Sequence, residues 1–346
     1  MLFKTANVAQ IARFDEIIDV RSPAEYAEDH IPGAISCPVF SDAERARVGT
    51  LYKQVSPFEA RKVGAAIVAR NIAHHLDTVL HDRPKNWKPL VYCWRGGQRS
   101  GAMTTILAQI GWGAQQLEGG YKAYRRDVLE RLAVLPAAFR FTVVCGPTGS
   151  GKSRFLAALA AAGRQVLDLE GLARHRGSVL GKLPDAPQPA QKGFDSLLLA
   201  ELQRLDPARP VYIESESKKI GNVALPDALF AAMHAADCLL VDVPLAERVR
   251  FLQEDYAFYL ADPESLVRQL GFLKGLYPNE VLAGWFELAR AGRFAELVEQ
   301  LLSRHYDPLY WRSMTRSYPA LAAAPTLALP SLAPAALAEA AAALPA

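Results

Sequence analysis

Two short segments carry residue types at spacings suited to chemistry. The first is Cys93-Trp94-Arg95-Gly96-Gly97-Gln98-Arg99-Ser100, which follows an apolar run and opens a helical pattern. A thiol at such a junction lies near helix N-terminal amides and beside Arg95 and Arg99. Both effects favour the thiolate, the reactive form. Gly96 and Gly97 let the loop curl so that its amides face an anion. The second segment is Gly146-Pro147-Thr148-Gly149-Ser150-Gly151-Lys152-Ser153, a complete G-x-x-x-x-G-K-[ST] phosphate loop. Its candidate diphosphate-binding residues are Gly146, Thr148, Gly149, Ser150, Gly151, Lys152 and Ser153. The glycines let successive N–H groups point at an anion, and the following helix adds its positive end. Lys152 supplies a point charge, and the Ser153 hydroxyl is the candidate Mg²⁺ ligand.

Spacing narrows both readings. Cysteine, five residues, then arginine is the cradle in which phosphatases attack a tetrahedral phosphate. Many single-domain sulfurtransferases use a loop one residue shorter. The wider loop at Cys93 therefore points to a ligand larger than a bare sulfur atom. The plain alternative, a buried inert thiol, suits Cys37, Cys145 and Cys238; two arginines and a glycine pair are poor neighbours for it at Cys93. The phosphate loop specifies a diphosphate without specifying ATP. Acids at strand ends are the next candidates, because strand ends of an open parallel sheet face the ligand crevice. They are Asp168 and Glu170, Glu214 and Glu216, and Asp242. Asp168 and Glu214 are singled out as acid or metal-linked groups, each with the alternative of a solvated strand end.

The elements around these loops read as α/β. Glu16 to Val20 and Pro89 to Tyr92 are strand candidates, and Arg99 to Ile110 has helical periodicity. After Leu135-Pro136 comes a buried strand, Phe139 to Cys145, then the phosphate loop and a helix to about Ala162. Gln165 to Leu169, Pro210 to Ile213 and Cys238 to Val243 are further strands. Strands alternating with helices predict parallel sheets with helices on their faces. From Leu245 to Tyr310 the pattern is helical. The segment from Pro319 to Ala346 is apolar and Ala/Pro-rich, interrupted at Pro325, Pro330, Pro334 and Pro345. It reads as a loose helix or an irregular segment. The expected divisions are 1–135, 136–245 for the phosphate-loop domain, 246–318 for a helical extension packed on it, and 319–346 for the tail.

Bulk properties exclude some classes. The 346 residues exceed one typical domain. Hydrophobic residues at 51% and charged residues at 22% fit a globular protein with ample core. A net charge of +3, from 39 basic and 36 acidic side chains, leaves a nucleic-acid partner open, because a basic groove can hide in a near-neutral total. Four scattered cysteines without a CxxC pair argue against a zinc site or disulfide framework, and a working thiol among them favours a reducing compartment. With no signal-like N-terminus and no long apolar run, no membrane partner is expected and the cytoplasm is the expected location.

Several segments together resemble a known family. Asp19-Val20-Arg21-Ser22-Pro23-Ala24-Glu25-Tyr26 and His30-Ile31-Pro32-Gly33-Ala34 resemble the early part of rhodanese domains. The Cys93 loop, the segment Leu117 to Arg125, and the phosphate loop together resemble the tRNA 2-selenouridine synthases. Further matching segments include Asp168 to Ala173, His175-Arg176-Gly177-Ser178, Gln191-Lys192, Glu214 to Ser217, Lys219-Ile220-Gly221 and His305 to Tyr310. The likeness covers about residues 10 to 312. Lys218, where an arginine is expected, departs from it. The resemblance implies a fold class: an N-terminal rhodanese-like domain plus a P-loop NTPase-like parallel-sheet domain with a helical C-terminal extension.

The resemblance also implies a reaction. Family members act on the wobble uridine in the anticodon loop of tRNA. Geranyl diphosphate alkylates the sulfur of 2-thiouridine, and selenium from selenophosphate then displaces the geranylthio group. The implied co-substrates are thus geranyl diphosphate and selenophosphate, with Mg²⁺, no prosthetic group, and the enzyme supplying selenophosphate as a further partner. In this reading Cys93, Arg95 and Arg99 are catalytic, Cys93 taking selenium as a selenenyl sulfide while the arginines orient the anion. Candidate RNA contacts are Lys122, Arg125 and Arg126; Arg174, His175 and Arg176; and Arg304, His305, Tyr306, Tyr310, Trp311 and Arg312. The runner-up enzyme is an ATP-dependent sulfurtransferase or kinase with a fused rhodanese domain. A scaffolding protein is disfavoured by the intact Cys93 and phosphate loop.

Overall fold

The computed structural model describes residues 3–177 and 186–344; Ser178 and Pro345 lie outside the described residues. The chain forms two compact units. One is Met1–Arg131 together with Pro189–Ala200, the other Leu132–Gln188 together with Glu201–Ala346.

The first unit is built on a parallel five-stranded sheet of order β1-β5-β4-β2-β3. Its strands are β1 (Lys4–Ala6), β2 (Glu16–Asp19), β3 (Ile35–Ser36), β4 (Pro89–Tyr92) and β5 (Gln115–Leu117). β4 lies in the middle and is buried along its whole length, as a strand covered on both faces must be. Ile18, Val91, Met103 and Leu107 are among the core residues around it. The helix Gln98–Ile110 leaves the Cys93 loop and ends at Gly111, whose φ of 105° gives a left-handed cap. Residues 189–200 belong to this unit despite their place in the sequence. Asp195 pairs with Arg125, and the Ser196 hydroxyl donates to Asp29 at 3.1 Å.

The second unit has a parallel sheet of order β12-β11-β6-β8-β7. Its strands are β6 (Phe141–Cys145), β7 (Gln165–Leu167), β8 (Val211–Glu214), β11 (Asp237–Asp242) and β12 (Thr326–Ala328). β9 (Lys219–Ile220) and β10 (Val223–Ala224) form a small antiparallel pair. β7 stops earlier than its apolar pattern suggests because Asp168 caps the short helix Leu169–Ala173, accepting from the Gly171 amide at 2.7 Å. The helices between Leu245–Asp255 and Asp307–Ser317 enclose their own apolar core, centred on Leu270, Trp285 and Leu297. Among the described residues no helix is long and apolar enough to cross a membrane.

The Ala/Pro-rich tail departs from its reading as a loose or irregular segment. Its residues Thr326–Ala328 add the edge strand β12, parallel to β11, and Pro334–Ala343 form a helix. Leu329, Leu332, Leu337 and Ala341 are buried in the core that also holds Val144, Phe155 and Val241. The prolines delimit these elements instead of breaking them. Pro325 precedes the strand, Pro330 follows it, and Pro334 opens the helix, where its missing N–H costs nothing. A three-residue strand is too short to show a period-2 pattern.

Candidate functional site

At the C-terminal end of β4, Cys93 sits at the bottom of a curled loop. The Gly97 amide donates to its sulfur at 3.3 Å and the Ser100 hydroxyl at 3.1 Å. Gln116 on β5 fixes that hydroxyl by donating to Ser100 Oγ at 2.7 Å and to the Gly97 carbonyl at 2.9 Å. Burial opposes the thiolate. The Ser100 hydroxyl and amide, the Arg99 charge and the Gly97 amide outweigh it, so the thiol titrates below its ordinary value. Cys37 shows the contrast: burial pushes its thiol up to about 12.

The curl depends on glycine. Gly96 has a φ of 64°, and a Cβ there would stand 2.7 Å from the Leu117 carbonyl. A Cβ on Gly120 would run into the Cys93 carbonyl. The Tyr121 and Lys122 amides donate to the carbonyls of Cys93 and Trp94 at 2.8 and 3.0 Å. The segment Leu117 to Arg125 therefore forms the back wall of the cysteine loop. The early motif supports it too. Buried Arg21 pairs with Asp19 at 2.6 Å and stacks its guanidinium 4.0 Å from the Tyr121 ring.

The two arginines differ. Arg95 is exposed and makes no ion pair among the described residues. Arg99 is held by Glu25 at 2.9 Å, which also pairs with Arg45 at 2.9 Å. Glu25 and Ser100 were not among the candidate residues. Ser100 was legible as the hydroxyl next to Arg99; Glu25 gave no signal beyond the early motif.

The phosphate loop follows β6, with Gly149 and Gly151 at φ of 82° and 69°. Lys152 leads the helix Lys152–Ala161 and its Nζ donates to the Gly146 carbonyl at 2.8 Å. The Ser153 hydroxyl donates to Glu170 at 2.7 Å. Three distant residues brace the loop. The Gly146 amide donates to the Tyr310 hydroxyl at 2.6 Å. Arg248 donates to the Thr148 carbonyl at 2.6 and 2.9 Å and to both oxygens of Asp307 at 2.6 and 2.9 Å. Arg248 was not singled out because, within an amphipathic helix, one arginine reads as a solvated face.

The acids separate by depth. Asp168, Glu170 and Glu216 line the cleft with Lys152 and Ser153. Glu214 lies behind them, fully buried, accepting from the Leu169 amide at 3.0 Å. Burial, and then the neighbouring Asp168, hold its carboxyl well above the usual range. Glu214 thus organises the loop that carries Asp168 and Glu170 without facing the cleft. Glu216 does face it, and burial followed by the charge of Glu170 raises its carboxyl also. Lys218, the departure from the family pattern, pairs with exposed Asp227 and sits 5.3 Å over the Phe230 ring.

The candidate RNA contacts divide in the same way. Lys122, Arg126, Arg174, Arg304, Trp311 and Arg312 are exposed. Arg125 is held by Asp195, and Arg176 by Asp255 at 2.9 Å. His175 and His305 are buried. Tyr310 is taken up by the phosphate loop.

A thiolate-stabilising loop on one parallel sheet and a complete phosphate loop on another define a two-module protein, rhodanese-type unit and P-loop unit in one chain. Residues 5–127 match the rhodanese-like domain family, and residues 139–276 match the family described as the tRNA 2-selenouridine synthase AAA domain. The chain is 34% identical over 336 residues to a tRNA 2-selenouridine synthase of Aeromonas salmonicida, covering 88% of this chain and 89% of that one. It is 33% identical to its namesake in Bdellovibrio bacteriovorus, covering 87% and 89%. With that of Nitrosomonas europaea it shares 37% identity over 69% of this chain and 63% of the relative. The chain belongs to the tRNA 2-selenouridine synthase family.

Proposed function

We propose that this enzyme replaces the sulfur of a wobble 2-thiouridine in tRNA with selenium, in two transfers served by its two loops. The supporting observation is that both loops are intact in one family member: a cysteine hydrogen-bonded as a thiolate, and a phosphate loop with its lysine, serine and bracing partners in place.

In the first transfer the phosphate loop holds geranyl diphosphate. The uridine sulfur attacks C1 of the geranyl chain, the C–O bond breaks, and inorganic diphosphate leaves. The N3 proton of the base departs at the same time. Glu216, in the cleft and raised by burial, is suited to accept it near neutral pH. Mg²⁺ fits the donor set here, since the Ser153 hydroxyl and the Glu170 carboxylate are adjacent hard oxygens. When bound it would offset the charge of the diphosphate.

In the second transfer selenophosphate occupies the Cys93 loop. Capture of selenium as a Cys93 selenenyl sulfide balances electrons only if phosphorus leaves as phosphite. Attack of the thiolate on phosphorus needs no such change. The S–P bond forms, the P–Se bond breaks, and selenide leaves; water then releases phosphate from Cys93. Selenide attacks C2 of the base and expels geranylthiolate. The phosphatase-like spacing from Cys93 to Arg99, with the Ser100 hydroxyl on the sulfur, supports this order. Exposed Lys122, Arg126, Arg174, Arg304 and Arg312 are the proposed phosphate contacts for the tRNA. The enzyme supplying selenophosphate is a further proposed partner, and the cytoplasm the proposed location.

The test is mass spectrometry of nucleosides from 2-thiouridine tRNA incubated with geranyl diphosphate and then with selenophosphate. S-geranyl-2-thiouridine followed by 2-selenouridine is expected. Turnover of ATP with no response to geranyl diphosphate would overturn the reading.

A further inference from the structure

Beside the phosphate loop the helical region encloses a second cavity of different chemistry. Leu252, Tyr256, Leu266, Leu297 and Leu301 contribute to its wall, and its volume is about 60 Å³. Leu266, Leu297 and Leu301 are buried and come from the helices Pro263–Leu270 and Phe294–Leu301. The surface presented inward is almost wholly carbon.

The cavity shares part of its wall with the phosphate-loop cleft. Thr148, Leu252, Tyr256 and Tyr306 line both. Leu252 lies against the loop itself, since a Cβ on Gly149 would stand 2.9 Å from its Cδ1. A ligand whose diphosphate rests on residues 146–153 therefore has an apolar space next to its head group. A nucleotide base is a poor occupant, because its ring nitrogens and exocyclic groups would lose water without gaining partners. A branched hydrocarbon tail loses nothing there, and gains the transfer of its surface out of water.

We propose that this cavity is the tail site of a prenyl diphosphate whose head group sits on the phosphate loop, and that Leu297 and Leu301 set the chain length accepted. The inference rests on the donor reading above and adds to it the residues that select the donor.

Calorimetry on the full chain with Mg²⁺ tests it, using inorganic, geranyl and farnesyl diphosphates. Geranyl diphosphate is expected to bind at least about tenfold more tightly than inorganic diphosphate. Leu297→Trp, which fills the cavity, should bring the two within about threefold while leaving inorganic diphosphate unchanged. Leu301→Ala, which enlarges it, should favour farnesyl over geranyl diphosphate by about tenfold relative to the parent, and it serves if the tryptophan variant does not fold. Equal affinities for inorganic and geranyl diphosphate in the parent overturn the tail site. So does a tail preference that neither variant changes. Neither result touches the nucleoside assay, which judges the donor reading by itself: a tail preference with no geranylated nucleoside refutes the donor reading and leaves the cavity assignment in place.

Discussion

Arg248 and Asp307 form a bidentate ion pair at 2.6 and 2.9 Å, and the same guanidinium grips the Thr148 carbonyl. The pair ties the helical region to the phosphate loop, so the helices do more than extend the fold. Arg248 is only 5% exposed, and its charge-assisted bonds are correspondingly strong.

Removing this brace should loosen the loop. Arg248→Ala is expected to weaken inorganic diphosphate binding by about 10- to 100-fold, the equivalent of one or two charged hydrogen bonds. Arg248→Lys should recover only part, because lysine lacks the planar fork that reaches Thr148 and Asp307 together. Calorimetry decides it; undiminished affinity in the alanine variant would show that the loop holds its shape unaided.

The Cys93 thiolate should form below the pH usual for a free thiol. Thiolate is the species alkylated, so the rate at Cys93 rises as pH climbs through its pKa, and a lowered pKa moves that rise to lower pH. Ser100→Ala removes a donor to the sulfur and should move the rise upward. Iodoacetamide labelling across pH, read from the Cys93 peptide, measures both. Coincident profiles for parent and variant would refute the role of Ser100. In ³¹P spectra of the selenation reaction, attack on phosphorus predicts phosphate; phosphite would favour the selenenyl sulfide instead. Cys93→Ala should leave geranylation intact and abolish selenation.

Glu216 has a distinct signature. As proton acceptor it must be ionised, so geranylation should increase with pH through its pKa, which burial and the charge of Glu170 raise in the metal-free protein. Glu216→Gln should lower kcat by roughly 10²- to 10⁴-fold and flatten this limb of the profile. Diphosphate affinity should stay level or rise, since a negative charge leaves the cleft. A variant retaining the parental pH profile would assign the proton to another group.

The tail is also open to test. Leu332 is buried, and a Cβ on Gly151 would meet its Cδ2 at 2.8 Å, so the tail supports the phosphate loop as well as the sheet. Leu332→Ala should destabilise the fold by about 2–5 kcal/mol, the range for a buried leucine. Urea denaturation followed by circular dichroism reads the change. A loss below about 1 kcal/mol would show that the site collapses to fill the gap.

What the sequence by itself determined was which residues each loop brings together. The thiol, its arginines and glycines, and the lysine and serine of the phosphate loop lie within eight consecutive residues each, between a strand and a helix. Local geometry fixes such groups, so spacing is enough to read them. Strand positions were legible for the same reason, since buried parallel strands read as apolar runs. Depth was not legible. Glu214 and Glu216 lie two residues apart, yet one is sealed under the Leu169 amide and the other lines the cleft. Only the neighbouring elements decide that. Nor could spacing pair Arg248 with Asp307, Arg125 with Asp195, or the tail's Leu332 with Gly151. These contacts join residues dozens to well over a hundred positions apart, and packing within each unit brings them together.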